Sequence, residues 1–124
     1  METTLNILKA VSDKNRLRVV AALSRYDELC ACQITELLSV SGATASRHLS
    51  ILQKAGLVES RKDGRWVYFR QARPGGTEPL FQWLEGTFLH SNEFKTDSKQ
   101  LDAIVGITRE DLCRKQRGEA CCPE

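Results

Sequence analysis

Residues 57–71 read LVESRK-DG-RWVYFRQ, two β-branched and aromatic runs that meet at Asp63-Gly64. Asp-Gly between such runs is the strongest short-range signal for a β-hairpin. A two-stranded hairpin is marginal in water and needs cover on at least one face. The rest of the chain must supply that cover, and what precedes the hairpin is helical. In ATASRHLSILQKA, Ala45, Leu49, Leu52 and Gly56 follow i, i+4, i+7 and i+11, a buried stripe ended by Gly56 as the C-cap. SVSG is a turn, and Ile34, Leu37 and Leu38 give helical spacing to the later part of DELCACQITELLS. Earlier, Thr4 to Val11 is a short helix. DKNRLRVVAALSRY is a second one, capped by Ser12 or Asp13 and striped by Leu17, Val20 and Ala21. After an ARPGGTEP linker, PLFQWLEGTFLH is an apolar helix. The stretch after Ser91 is polar and low in apolar content, and ITREDLCRKQ is a last short helix in which Thr108 and Asp111 resemble a capping box. The order is helix, helix, helix–turn–helix, hairpin, helix. The fold expected is mainly α with a β-hairpin wing (α+β), a winged helix–turn–helix.

The chain of 124 residues has a net charge of only +2, which by itself indicates no polyanionic partner. The charge is unevenly spread. Between residues 41 and 74 lie Arg47, Lys54, Arg61, Lys62, Arg65, Arg70 and Arg73 against Glu59 and Asp63, a local charge of +5, which leaves −3 for the remainder. A basic segment in a mildly acidic body is the footprint of a local polyanion contact. On the helix wheel Ala43, Arg47, Ser50 and Lys54 face away from the apolar stripe, with Thr44 and Ser46 on the flanks. Small side chains let the backbone approach a major groove, hydroxyls reach phosphates or base edges, and Arg47 suits guanine. The helix N-terminus at Ser41 adds phosphate affinity. His48 sits nearer the apolar edge, where both DNA contact and packing are open to it. Arg61, Lys62 and Arg65 crowd the hairpin tip, which reads as a wing reaching phosphates or a minor groove. Trp66 and Tyr68 share one strand face and are assigned to packing. The expected DNA-contacting set is Ser41, Thr44, Ser46, Arg47, His48, Ser50, Lys54, Arg61, Lys62 and Arg65.

Composition is that of a globular chain, 41% hydrophobic and 27% charged. No apolar run approaches the roughly 18 residues of a membrane span, and Met1 to Ala10 lack the apolar core of a signal peptide, so no membrane is expected and the cytoplasm is the expected compartment. Five cysteines, an odd count in a reducing compartment, argue for metal or thiol chemistry over a disulfide scaffold. Cys30 and Cys32 form a C-x-C at the start of the helix–turn–helix. Within a helix, i and i+2 diverge by roughly 200°, so chelation by both requires the helix to start after Cys32 or to unwind its first turn. Thiolates select soft acceptors such as As(III), Sb(III), Cd²⁺, Pb²⁺ and Zn²⁺. Cys113, Cys121 and Cys122 lie in the tail and are possible additional ligands. C-x-C is not the C-x-x-C redox motif, and no βαβ unit or acid–base constellation accompanies it, so an enzyme is not expected.

DKNRLRVVAALS, ELCACQITELL, SRHLSILQKAGLV and GRWVYFR together resemble the ArsR family (ArsR/SmtB type) of metal-responsive repressors, over roughly residues 5–90. ELCACQ is similar to the cysteine segment of the family's arsenite and antimonite sensors, and of its cadmium and lead sensors. The resemblance implies a homodimer on a palindromic double-stranded operator, released when As(III) or Sb(III) binds Cys30 and Cys32, with no cofactor needed for DNA binding. It implies residues 1–90 as the winged helix–turn–helix DNA-binding and dimerisation domain and 91–124 as a C-terminal extension. Arsenite sensors often carry a third cysteine where this chain has Thr35, and cadmium–lead sensors add N-terminal cysteines that residues 1–29 lack. A zinc site would fall on the final dimer helix, where only His90 and Glu93 are suitably spaced. Cd/Pb or methylarsenite sensing, or a thiol redox switch, are the alternatives on the same fold. PLFQWLEGTFLH, apolar around most of its circumference, is expected to pair with the first helix in the dimer.

Overall fold

The computed structural model describes residues 2–117. Helices α1 (Glu2–Val11) and α2 (Lys14–Arg25) are followed by a two-residue strand β1 (Leu29–Cys30). Next come α3 (Ala31–Leu38) and α4 (Gly42–Lys54), then the hairpin strands β2 (Val58–Asp63) and β3 (Trp66–Gln71). Helices α5 (Glu78–Gly86), α6 (Asn92–Val105) and α7 (Arg109–Arg117) complete the chain, with a 3₁₀ turn at Phe88–His90. The mainly helical fold with a hairpin wing is the one expected.

Local chemistry sets the boundaries. Asp13, not Ser12, caps α2, accepting from the N–H groups of Asn15 and Arg16. Burial opposes ionisation of Asp13, but the Arg16 N–H and the Arg16 and His48 charges hold its carboxyl below the usual range. Ser41 Oγ accepts from the Thr44 N–H at 3.1 Å and starts α4. Gly56 ends it at φ +81, with Leu57 N–H donating to Leu52 O across the turn. A Cβ at Gly56 would be strained at that φ and would press on Pro74 at 3.3 Å. The hairpin register pairs Asp63 with Trp66, so the loop is Gly64-Arg65, one residue later than Asp63-Gly64. Gly64 at φ +63 takes the first loop position, where a primed turn needs positive φ.

The hairpin is extended at its β3 edge by a strand that the sequence pattern did not show. β1 pairs antiparallel with β3, Leu29 opposite Phe69 and Cys30 opposite Tyr68, in the order β1-β3-β2. Beneath the sheet lies the core, where Val19, Leu29, Ile34, Leu52, Leu57, Phe81 and Leu101 are wholly or almost wholly buried. The apolar stripe expected on α4 is present, with Ala45, Leu49 and Leu52 buried.

One expectation is corrected. The apolar helix after the linker is not continuous to His90. It ends at Gly86, because Thr87 leaves helical geometry at ψ −76 and its Oγ1 donates back to Trp83 O. The polar stretch after Ser91 is α6, capped by Ser91 Oγ, which accepts from Phe94 N–H. Leu101, Ile104 and Leu112 belong to the same core as α2–α4. Asp97 of α6 accepts both Arg18 Nε at 2.9 Å and Nη2 at 3.0 Å, and Nη2 also donates to Leu37 O. Asp102 accepts from Arg25 and from Tyr26 Oη. Among the described residues no helix is long and apolar enough to cross a membrane.

Two consequences are measurable. Asp97→Ala leaves Arg18 half-buried without its partner and should lower unfolding free energy by about 3 kcal/mol in urea titrations. The hydrogen bonds from Arg25 and Tyr26 hold the Asp102 carboxyl at about 2, against an ordinary 3.8. A depressed carboxylate stabilises the fold above its unfolded value and loses that contribution on protonation. Stability should therefore decline as pH falls from 3.8 towards 2, and Asp102→Asn should flatten that decline in acid unfolding curves.

Candidate nucleic-acid interface and cysteine site

The α3–turn–α4 unit turns at Ser39, φ +55, which lets α4 leave at an angle from α3. Leu49 and Leu52 bury one side of α4, so Ser41, Thr44, Ser46, Arg47, Ser50 and Lys54 stand exposed on the other. Ser41 Oγ donates to Thr44 Oγ1 at 3.0 Å, holding two hydroxyls together at the helix N-terminus. His48 leaves this set. Its side chain is only 12% exposed and faces α2, with Nδ1 3.3 Å from Arg16 Nη1 and 3.9 Å from Asp13 Oδ2. The apolar edge of the wheel turned it inward.

The seven cations of the basic segment divide by partner. Arg70 pairs with Glu59, and Arg73 with Glu85 and Glu78. Arg61 makes a two-pronged contact with Glu28 at 2.7 and 2.8 Å, which holds the Glu28 carboxyl below its usual range. Arg61 also lies over the Tyr68 ring, and Arg65 over Trp66. Arg47, Lys54 and Lys62 are exposed and have no carboxylate partner among the described residues. Arg47, Lys54, Lys62 and Arg65 therefore form the uncommitted basic surface, and Arg61 joins it only by exchanging Glu28. Glu28 was invisible as a partner because 33 positions separate it from Arg61.

The cysteine pair sits where the sheet becomes a helix. Cys30 is at once the last residue of β1 and the N-cap of α3, extended at φ −71 and ψ 151. Its N–H donates to Gln33 Oε1 at 2.7 Å, and its side chain faces the Gln33 N–H in a capping box. Cys32 lies one residue inside the helix, and the two Sγ atoms are 3.2 Å apart. Chelation was expected to need the helix to begin after Cys32 or to unwind its first turn; with Cys30 extended at the N-cap, the two sulfurs already lie close together. First-turn N–H groups favour negative charge there. Both residues are buried, Cys30 wholly and Cys32 to 2% exposure. Thr35, further along α3, donates to Ala31 O at 2.8 Å.

A feature absent from the sequence pattern is that α7 crosses this site. Gln116 Nε2 donates to the Cys32 carbonyl at 2.9 Å and to Glu36 Oε1 at 3.2 Å, and Lys115 Nζ donates to Glu36 at 2.6 Å. The Lys115 bond holds the Glu36 carboxyl below its usual range. Arg109 lies over the Trp66 and Tyr68 rings. Cys113 falls on α7, and Cys121 and Cys122 lie outside the described residues. Among the described residues no three His, Cys, Asp or Glu side chains converge on one point, His90 and Glu93 included.

Comparison with known proteins agrees with this geometry. The family profile described as "Bacterial regulatory protein, arsR family" matches residues 13–60. The cadmium resistance transcriptional regulatory protein CadC of Listeria innocua is 51% identical over 61 residues, 49% of this chain and 51% of that protein. The chain thus spans about half the length of that relative. The arsenic resistance transcriptional regulator ArsR2 of Pseudomonas putida is 36% identical over 123 residues, 98% of this chain and 100% of that protein. In structure the chain is similar to HlyU from Vibrio cholerae, with TM-score 0.61 and 23% identity over 69% of this chain and 92% of that one. That likeness concerns the fold.

Burial of the thiols has a direct consequence. In a Cys113→Ser/Cys121→Ser/Cys122→Ser variant, maleimide should label Cys30 and Cys32 at least about tenfold faster in denaturant than in native buffer, because local opening must precede reaction. Equal rates would show the pair to be solvent-accessible.

Proposed function

The chain belongs to the bacterial arsR family of regulatory proteins, and from that premise we propose that it is a transcriptional repressor whose operator complex is broken by arsenite or antimonite. The protein acts in the cytoplasm as a homodimer on palindromic double-stranded DNA. α4 enters the major groove with Arg47 towards a base edge, and Ser41, Thr44, Ser46, Ser50 and Lys54 position it on the backbone. The wing contributes Lys62 and Arg65, with Arg61 exchanging Glu28 for phosphate. The dimer is formed by α1 and α5, whose Leu5, Leu8 and Trp83 are 42%, 49% and 63% exposed in the single chain. A two-fold axis there presents two α4 helices to two half-sites.

The observation that carries the inducer reading is the 3.2 Å sulfur pair. Two metal–sulfur bonds of about 2.3 Å at a right angle span about 3.3 Å, whereas a tetrahedral angle opens them to about 3.8 Å. The pair thus suits a pyramidal trivalent metalloid. Cys30 and Cys32 hold it through two thiolates, and no step requires turnover or a cofactor. Because Cys30 caps α3 and also pairs with Tyr68, an ion bound at its sulfur acts at once on the helix that carries the turn into α4 and on the strand that carries the wing. The repressor is thereby moved towards a form of lower DNA affinity. A second reading, Cd²⁺ sensing, is favoured by the 51% identity to the Listeria cadmium regulator over the same segment. It requires the sulfurs to separate.

Fluorescence anisotropy on a labelled operator tests both. Wild type should release DNA with arsenite or antimonite and respond less to Cd²⁺. Cys30→Ser/Cys32→Ser should bind DNA normally and ignore the metalloid, and normal release by that variant would refute the site. Arg47→Ala should weaken specific binding by about 1–3 kcal/mol with little change on random DNA. Peroxide releasing DNA where arsenite does not would mark a redox switch instead.

A further inference from the structure

α7 is fixed to the cysteine site at both ends. Towards its start, Arg109 lies over Tyr68, the register partner of Cys30. Towards its end, Gln116 Nε2 holds the Cys32 carbonyl. Between them Leu112 is wholly buried. Arg109, Leu112 and Gln116 stand at i, i+3 and i+7, one stripe of the helix, and the remaining position of that stripe, i+4, is Cys113. Position 113 therefore falls between the anchor over Cys30's partner strand and the anchor on Cys32.

The chemistry of the site asks for a third thiolate. Trivalent arsenic held by Cys30 and Cys32 alone keeps one hydroxyl, and in a site this buried an unsatisfied hydroxyl is costly. Thr35 offers no thiol, and its hydroxyl is committed to Ala31 O. Building on the reading that Cys30 and Cys32 take the metalloid, we propose that Cys113 of the same chain supplies the third thiolate, so that α7 closes the site as its third wall. Arsenite, As(OH)₃, exchanges three hydroxyls for three sulfurs. Each thiol proton leaves with one hydroxyl as water, and arsenic stays trivalent. Entry requires α7 to lift, which breaks the Gln116 and Lys115 contacts, and the Cys113–arsenic bond then holds it down.

X-ray absorption at the arsenic edge counts sulfur neighbours in the full chain, and titration with arsenite and with phenylarsine oxide supplies affinities. Phenylarsine oxide accepts only two thiolates. Wild type and Cys121→Ser/Cys122→Ser should show three sulfurs. Cys113→Ser should show two sulfurs and one oxygen. Its arsenite affinity should fall by more than about tenfold, the scale on which even outer partners of a metal site act, with phenylarsine oxide binding unchanged. Three sulfurs in Cys113→Ser, two in Cys121→Ser/Cys122→Ser, or equal weakening of both ligands in Cys113→Ser would each overturn the proposal. Phenylarsine oxide binding that survives Cys30→Ser/Cys32→Ser would instead overturn the underlying site.

Discussion

The two-residue pairing of Leu29–Cys30 with Phe69–Tyr68 is the contact on which the rest of this molecule turns. It makes the hairpin a three-stranded sheet, where two strands alone are marginal. It places Cys30 in extended backbone immediately before α3, and so lets sulfurs two residues apart meet at 3.2 Å. It also makes one residue belong to the wing's sheet and to the helix–turn–helix together. Glu28, just before this pairing, grips Arg61 on the wing, and Arg109 lies over Tyr68 within it. Wing, α3 and α7 are tied at one point, and that point is the thiol pair.

Much of the fold was legible because its signals are local. The period of Ala45, Leu49 and Leu52, the glycine at 56 and the turn glycine at 64 act over a few residues. What was hidden acts over distance or in disguise. α6 carries Phe94, Leu101, Ile104 and Val105 at helical spacing, but its buried stripe also holds Asp97, a charge that reads as surface. Only Arg18, 79 positions away, makes it an interior residue. β1 is two residues long and exists only as a partner of β3. The helix wheel made Cys30 and Cys32 divergent only if both were helical, and it could not show that Cys30 alone is extended.

The candidate site was legible in its chemistry and less so in its assembly. Arg47 and Lys54 stand exposed where the wheel put them, while His48 went to Arg16 and Asp13. Of the segment's cations, Arg61 and Arg73 answer carboxylates elsewhere and Arg70 answers Glu59 within it, so the surface offered to DNA is smaller and more focused than the count implied. The tail, whose part sequence left open, meets the cysteine pair through Gln116, which holds the Cys32 carbonyl, while Lys115 holds Glu36. No spacing rule links positions 32 and 116.

The central claim is that one bistable junction joins the thiol pair to the DNA-reading surface. Coupling between two such sites must be reciprocal. The most direct measurement is the arsenite dissociation constant of the wild-type protein, free and saturated with operator DNA. The account predicts that operator weakens arsenite binding by the same factor by which arsenite weakens operator binding. Equal arsenite affinity in the two states would contradict it.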